Sequence, residues 1–88
     1  MKNSLLLLVL SLGCSGAFAA ASCPKYPKSE WMKPEEAKSK LEAQGYKIRK
    51  FKVDGNCYEI YGHNKEGKKA EVYFDAKTLA VVKAEIGK

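Results

Sequence analysis

Apolar and polar residues alternate along most of the C-terminal half of the chain, the pattern of strands with one buried face. The alternation is clearest over residues 68–75 and recurs over 57–63 and 79–86. A fourth segment, 46–53, alternates cations with apolar residues, but Ile48 is out of phase with the rest, which predicts a bulge or a strand packed on both faces. Short turn-forming sequences separate these segments, so we expect an antiparallel meander of four strands.

The alternation also assigns a face to each position of the last three strands. The positions predicted to face the core are Tyr58, Ile60, Gly62, Ala70, Val72, Phe74, Ala80, Val82, Ala84 and Ile86. The opposite face is predicted to carry Cys57, Glu59, Tyr61, His63, Lys69, Glu71, Tyr73 and Asp75.

A single helix is predicted over residues 34–44, before the first strand. Pro34 suits the first helical position, and Gly45 supplies a left-handed stop. Its apolar stripe consists only of Ala37 and Leu41, so the helix must lie on another element to be stable. The expected fold class is α+β, with one N-terminal helix packed on a four-stranded antiparallel sheet.

Residues 20–33 are predicted to form an extended segment that leads into this domain of residues 34–88. Pro24 and Pro27 are expected to prevent regular structure there. Cys23 and Trp31 are expected to hold the two ends of the segment.

The first 19 residues are predicted to be a cleaved secretory signal. A positively charged start is followed by an apolar run over 5–12 and by an A-x-A cleavage site that ends at Ala19. Cleavage after Ala21 is an alternative, as is lipidation at Cys14. The apolar run is too short to span a bilayer. The predicted location is therefore the periplasm or the extracellular space, with no transmembrane segment after cleavage.

Removal of the signal changes the size and the charge of the chain. It leaves 88 − 19 = 69 residues, and the loss of Lys2 leaves 15 cationic against 10 acidic residues, a net charge of about +5. Export argues against nucleic acid as a partner. The positive charge still allows an anionic membrane surface, a wall polymer or an acidic protein patch as the partner. The alternative is that the charge serves only solubility.

Two cysteines, Cys23 and Cys57, stay in the mature chain and are predicted to form a disulfide in an oxidising compartment. The bridge would close a loop of 57 − 23 = 34 residues, which on the chain-entropy model stabilises the fold by about 4 kcal/mol. A redox-active pair is the alternative, but the spacing is not C-x-x-C.

No pattern of residues points to catalysis, a metal or a cofactor. His63 with Glu59 or Glu66 offers two ligands, too few for a structural zinc site. Glu59 and Glu71 resemble a glycosidase pair, but cross-strand pairing with Lys or Arg is the simpler interpretation. The protein is therefore predicted to be non-enzymatic. Tyr61 and Tyr73, on the face away from the helix, either lie under the N-terminal segment or form a partner surface.

The whole pattern resembles the PepSY domain family, named for peptidase propeptides and YpeB, and in particular its small exported stand-alone members. The residues that carry the resemblance are Trp31, Glu36, Ala37, Leu41, Gly45, Tyr46, Ile48, Gly55, Cys57, Tyr58, Glu59, Ile60, Gly67, Lys68, Glu71, Val72, Tyr73, Phe74 and Asp75. Among them, Trp31, Ala37, Leu41, Gly45, Tyr46, Tyr58, Ile60, Val72 and Phe74 are expected to be structural. The family commonly has Asp-Pro-x-Thr-Gly before the last strand, whereas residues 75–79 here are Asp-Ala-Lys-Thr-Leu and lack the glycine where a positive φ is often needed.

The resemblance implies a binding module without catalytic residues of its own, which regulates or inhibits a periplasmic or secreted peptidase. We expect the partner to bind around Tyr61, Tyr73, Glu71 and Lys83. Two alternatives are a small-ligand, metal or haem sensor of the cell envelope that uses His63, and an electrostatic binder of anionic envelope surfaces. The cations of the electrostatic alternative are Lys47, Arg49, Lys50, Lys52, Lys68 and Lys69.

Overall fold

The computed structural model describes residues 21–87, in which one helix lies on a four-stranded antiparallel sheet. Helix α1 spans Pro34–Ala43, and strands β1 to β4 span Lys47–Asp54, Cys57–His63, Lys69–Asp75 and Val81–Ile86. The strands pair in chain order, each antiparallel to its neighbour. The predicted fold class is therefore confirmed.

The predicted signal over residues 1–19 lies outside the described residues, together with Cys14 and the cleavage site at Ala19. Within residues 21–87, no helix has the length and apolar character needed to cross a bilayer.

Proline and glycine set the two ends of α1. Pro34 lies in the first turn, where a missing N–H leaves no hydrogen bond unmade. At the other end, Gly45 has a φ of 106°, and the N–H of Tyr46 donates to the carbonyl of Leu41. A Cβ on Gly45 would also overlap the side chain of Lys65, so the close approach of the β2–β3 turn requires glycine here as well.

The core lies between α1 and one face of the sheet. The buried cluster consists of Ala37, Leu41, Tyr58, Ile60, Ala70, Val72, Phe74, Ala76 and Leu79, with Trp31, Met32, Tyr46, Ile48 and Phe51 packed at its margin. Aromatic rings fill the space that a thin helix leaves. The ring of Tyr58 packs edge to face with Trp31 at a centroid distance of 5.4 Å and at a tilt against Phe51 at 4.9 Å. The backbone of α1 runs closest to β1, so β4 lies at the less covered side of the sheet.

The N-terminal segment is fastened to the sheet at several points. The predicted disulfide between Cys23 and Cys57 is present, with a Cα–Cα distance of 5.4 Å. The hydroxyl of Tyr26 donates to the Asp75 carboxylate at 3.2 Å, and Nε1 of Trp31 donates to the Tyr26 carbonyl at 3.0 Å. The segment therefore crosses from the face of the sheet that carries Cys57 to the face covered by α1.

The expectation that this segment lacks regular structure is wrong over three residues. Lys28–Glu30 form a 3₁₀ turn, closed by the hydrogen bond from the N–H of Glu30 to the carbonyl of Pro27 at 2.8 Å. Proline lacks a backbone N–H and restricts the residue before it, but its carbonyl can still accept a hydrogen bond. Pro27 can therefore precede this turn, which uses only its carbonyl.

The predicted irregularity in the first strand is a β-bulge. Ile48 pairs with Gly62 and Lys50 pairs with Tyr61, which leaves Arg49 as the extra residue. A Cβ on Gly62 would overlap the carbonyl of Lys47, so glycine at this position permits the close approach of the two strands.

The predicted course of the last strand is wrong in two respects. β4 begins at Val81, because Leu79 is buried in the preceding turn with a φ of 66°. The register between β3 and β4 is also irregular, because Lys83 pairs with Tyr73 whereas Val81 pairs with Phe74. Val82 is therefore an extra residue, and Val81 lies opposite a core position. The strand also stays exposed on the side expected to be buried, with Ile86 42% exposed.

Candidate binding face

The face of the sheet away from α1, here called the outer face, carries two ordered rows of side chains. The antiparallel registers align Lys52, Glu59, Tyr73 and Lys83 in one row, and Lys50, Tyr61, Glu71 and Glu85 in the next. On the two central strands, tyrosine and glutamate alternate in a chequered pattern. The lysines of these rows lie on the edge strands, so cations flank a central acidic and aromatic area.

The four residues predicted to bind a partner all lie in these rows, as two cross-strand pairs. Tyr61 faces Glu71 between β2 and β3, and Tyr73 faces Lys83 between β3 and β4. Their exposures differ: Tyr61 is 36% exposed, whereas Tyr73 is 9% exposed and Glu71 and Lys83 are half-buried. Tyr61 is therefore the aromatic ring that a partner can reach, and Tyr73 supports its neighbours.

Glu59 is buried at the centre of this arrangement, with only 1% of its surface exposed. Its Oε1 lies 4.0 Å from Nζ of Lys52, and its Oε2 is buried without a hydrogen-bond partner. Burial raises the pKa of Glu59 above its ordinary value, and the neighbouring Glu71 carboxyl group raises this pKa further. A proton on Glu59 removes the buried charge and provides an O–H donor.

Glu71, the carboxyl group next to Glu59, has a pKa shifted in the opposite direction. The neighbouring Glu59 carboxyl group lowers the pKa of Glu71, and the hydroxyl groups of Tyr61 and Tyr73 act in the same direction. The Tyr73 hydroxyl donates to Oε2 of Glu71 at 3.1 Å. A proton taken up by these two carboxyl groups is therefore favoured on Glu59 over Glu71.

The two tyrosines remain protonated donors at any physiological pH. Hydrogen bonds with Glu59 and Glu71 raise the pKa of Tyr61 to about 12. Burial, followed by the hydrogen bond to Glu71, raises the pKa of Tyr73 still further. A phenolate beside these carboxyl groups would place like charges in contact.

Lysine side chains lie over both tyrosine rings of the outer face. Nζ of Lys50 and Nζ of Lys52 lie 5.8 and 5.5 Å from the centroid of the Tyr61 ring, and Nζ of Lys83 lies 5.8 Å from that of Tyr73. These distances fall within the range of cation–π attraction. The outer face therefore offers an aromatic ring between ammonium groups, beside a charged carboxylate.

The N-terminal segment covers one end of the outer face and leaves the Tyr61 end open. Cys57 is fully buried by the disulfide, and the carboxylate of Asp75 accepts the Tyr26 hydroxyl. Burial alone would raise the pKa of Asp75, but the N–H groups of Thr78 and Lys77, at 3.0 and 2.8 Å, outweigh it and lower this pKa.

A shallow depression of about 580 Å³ lies at the open end, beside Tyr61. Its cationic lining comes from Arg49, Lys50 and Lys69, with His63 among them and Glu71 and Glu85 on the other side. The β1 bulge adds Arg49 to this lining, because the extra residue shifts the register there. Among residues 21–87, no three His, Cys, Asp or Glu side chains converge as metal ligands would.

Glu59 is the one central residue whose burial the alternation did not indicate. It was assigned to the outer face and expected to be the cross-strand partner of a cation, and Lys52 on β1 is that cation. Its burial follows from the register, which surrounds it with Tyr61, Tyr73 and Glu71. The short β2–β3 link already implied that register, because a tight hairpin fixes which residues face each other.

The amino-acid sequence matches the family model described as peptidase propeptide and YPEB domain, over residues 3–85. The match covers nearly the whole chain. The chain belongs to this family, the PepSY family. Comparisons with curated proteins and with solved structures gave no match. PepSY domains are in general non-catalytic propeptide or inhibitor modules, so membership supports a propeptide-like or regulatory binding module.

Proposed function

We propose that this PepSY domain is a non-enzymatic module that binds and regulates a peptidase through its outer face. The observation that carries the binding role is the exposed ring of Tyr61, flanked by Lys50 and Lys52 and paired with Glu71. Aromatic residues with charged neighbours are typical of the energetic centres of protein interfaces. The peptidase as partner rests on family membership alone.

The non-enzymatic character of the proposal is supported by the chemistry of the outer face. Glu59 is only 1% exposed, so a substrate does not reach its carboxyl group, and Glu71 accepts the Tyr73 hydroxyl at 3.1 Å. The depression beside them is partly open to solvent.

A titration against purified peptidases, with the disulfide oxidised, tests this proposal. Inhibition or delayed activation of one peptidase, together with a stable complex, is the expected result. Tyr61→Ala is expected to weaken the complex by about 30-fold, the effect of losing an interface residue worth about 2 kcal/mol. Val53→Ala is the matched control, because Val53 is 51% exposed and pairs with Tyr58 on the opposite face.

Two outcomes would remove the proposal. If no peptidase forms a complex or changes its activity, the peptidase is not the partner. If Tyr61→Ala and Val53→Ala weaken a complex equally, the outer face is not the binding surface.

We also propose that the protein is exported and functions in the periplasm or outside the cell. The Cys23–Cys57 disulfide supports this location, because such bonds persist in oxidising compartments and are rare in the cytosol. Cell fractionation and intact mass spectrometry are expected to find a form cleaved after Ala19 or Ala21 and lighter by two hydrogens. A cytosolic, uncleaved form with two free thiols would contradict export.

An electrostatic role is a second candidate function, because the depression gathers Arg49, Lys50 and Lys69 beside the exposed Tyr61. On this alternative the cations bind an anionic envelope surface. Vesicles that contain anionic lipid are expected to bind the protein at low salt and to release it as salt screens the charges. Equal binding to neutral vesicles, or binding that is insensitive to salt, would exclude this role.

A further inference from the structure

Strand β4 exposes more large hydrophobic side chains than any other strand of the described sheet. Of the five large hydrophobic side chains exposed among residues 21–87, three lie on this strand: Val81, Val82 and Ile86, at 55, 37 and 42%. β4 is also an edge strand, because the sheet order ends with it. An apolar edge strand is a template for pairing with another strand.

The other edge of the sheet is protected against such pairing. β1 carries Lys47, Arg49, Lys50 and Lys52, and it contains the bulge. Charged side chains and bulges are the features by which natural sheets prevent edge pairing. β4 also has an irregularity, at Val82, but it carries one cation where β1 carries four, and it has most of the exposed large hydrophobic side chains of the described sheet.

The backbone of β4 has polar groups directed away from the sheet. The N–H of Gly87 donates to the carbonyl of Lys69 at 2.7 Å, so these two residues form a hydrogen-bonded pair. Hydrogen-bonded and non-hydrogen-bonded pairs alternate along an antiparallel ladder. Ala84 and Ile86, opposite Val72 and Ala70, therefore direct their N–H and C=O groups toward the open edge.

The order of residues in β4 is complementary to itself when read in the opposite direction. The segment 82–86 is Val-Lys-Ala-Glu-Ile. If two copies pair in antiparallel fashion with Ala84 facing Ala84, then Lys83 of each copy faces Glu85 of the other. In the same register, Val82 of each copy faces Ile86 of the other.

The neighbouring registers are unfavourable. Residues that face each other must lie on the same side of a sheet, so the register can shift only in steps that preserve the faces. One such shift places Glu85 opposite Glu85, and the other places Lys83 opposite Lys83. Like charges directly opposite each other destabilise a strand pair.

We propose that β4 pairs with β4 of a second copy of this chain, with a two-fold axis at Ala84. The pairing joins two four-stranded sheets into one of eight strands. The outward N–H and C=O groups of Ala84 and Ile86 gain partners, and exposed apolar surface of Val82 and Ile86 is buried. Lys83 and Glu85 already lie 3.8 Å apart within the strand, so the dimer extends this ion pair into an alternating set of four charges.

The dimer leaves the outer face open. A two-fold axis perpendicular to the sheet keeps the faces of both copies on the same side, so both helices cover one side and both outer faces lie on the other. Lys83 and Glu85 also belong to the rows of the outer face, but dimerisation of the purified protein is measured without a peptidase, so each proposal can fail while the other stands.

Sedimentation equilibrium at micromolar to millimolar concentrations, combined with charge variants, tests the register. The wild type is expected to dimerise weakly, because one strand pair buries a small area. Lys83→Glu and Glu85→Lys are each expected to weaken the dimer about tenfold or more, because each creates two like-charge contacts. The double variant Lys83→Glu/Glu85→Lys restores opposite charges and is expected to dimerise like the wild type.

Mixing the two single variants is the most specific experiment. K83E has two acidic residues at these positions and E85K has two basic ones, so the mixture is expected to form heterodimers in preference to either homodimer. Circular dichroism of each variant confirms that the fold is retained. Single variants that dimerise as the wild type does would overturn the proposed register.

Amide hydrogen exchange provides a readout that does not depend on variants. The amides of Ala84 and Ile86 are expected to become more protected as protein concentration rises. Those of Lys83 and Glu85 point toward β3 and serve as internal controls, with protection independent of concentration. A protein that stays monomeric at every concentration would overturn the proposal, and an extended segment of another protein would then be the occupant of this edge.

Discussion

Leu79 has a backbone conformation that favours glycine, and its replacement tests how the turn before β4 is stabilised. Its φ is 66°, the one positive φ of a non-glycine residue among residues 21–87. A Cβ in this left-handed conformation costs roughly 1–2 kcal/mol. The side chain is only 8% exposed and belongs to the core cluster, so its burial offsets this strain.

The burial and the strain can be separated with two variants. Leu79→Ala loses most of the buried side chain and keeps the strain, so we expect the free energy of unfolding to fall by about 2–3 kcal/mol. Leu79→Gly loses the same side chain but removes the strain, although the more flexible unfolded chain costs roughly 0.4–1 kcal/mol. Leu79→Gly should therefore be more stable than Leu79→Ala by about 0.5–1 kcal/mol, the difference between these terms.

Urea denaturation of the oxidised protein, with thermal melting as a second measure, gives the required free energies. Ala76 is the matched control, because it is fully buried in the same turn and lacks a positive φ. There, Ala76→Gly is expected to destabilise the protein by roughly 0.5–1 kcal/mol. If glycine is also less stable than alanine at position 79, the argument from backbone strain is wrong.

Three further predictions concern the disulfide, the carboxyl pair and the first strand pair. Replacing both Cys23 and Cys57 by alanine is expected to lower the free energy of unfolding, measured in urea, by up to about 4 kcal/mol, because the unfolded chain regains the freedom of a 34-residue loop. A loss below about 1 kcal/mol would contradict this entropic account. Glu59→Gln is expected to raise stability by about 1 kcal/mol at neutral pH, because it removes a buried carboxylate that has an unpartnered oxygen. Because the pKa of Glu59 is raised in the folded state, wild-type stability falls as pH rises from the ordinary carboxyl range through this pKa. The stability advantage of Glu59→Gln should therefore shrink on acidification. An advantage that is independent of pH would refute the raised pKa of Glu59. The lowered pKa of Glu71 has the opposite sign, so its contribution to stability is lost as pH falls, and Glu71→Gln should be less stable than wild type at neutral pH. Gly62→Ala is expected to destabilise the protein by about 1–3 kcal/mol, because its Cβ would overlap a carbonyl of β1. A loss below about 1 kcal/mol in thermal melting would refute the steric argument.

The elements of this fold were largely predictable, because each follows from local features of the chain. Alternation located the four strands, and the phase error at Ile48 located the bulge in β1. Pro34 and Gly45 set the ends of the helix to within one residue. Two cysteines in a chain with a predicted signal were sufficient to predict the disulfide.

The candidate binding face was predictable in part. Alternation assigned Tyr61, Glu71 and Tyr73 to one side of the sheet, and the structure brings these residues together. Alternation records only which way a side chain points, so it could not distinguish the exposed Tyr61 from the buried Tyr73 and Glu59. Those differences depend on which neighbours surround each residue across three strands.

By itself, the amino-acid sequence determined the order of the elements, the faces of β2 and β3 and the covalent link, because these depend on residues close in the chain or on the identity of two cysteines. The tertiary structure alone decided where the helix lies across the sheet. Because α1 runs along β1, the side of β4 that was expected to be buried stays exposed. The tertiary structure also decided that Glu59 is buried beside a half-buried Glu71 and that Leu79 adopts a positive φ, because both result from packing between segments that are distant in the chain.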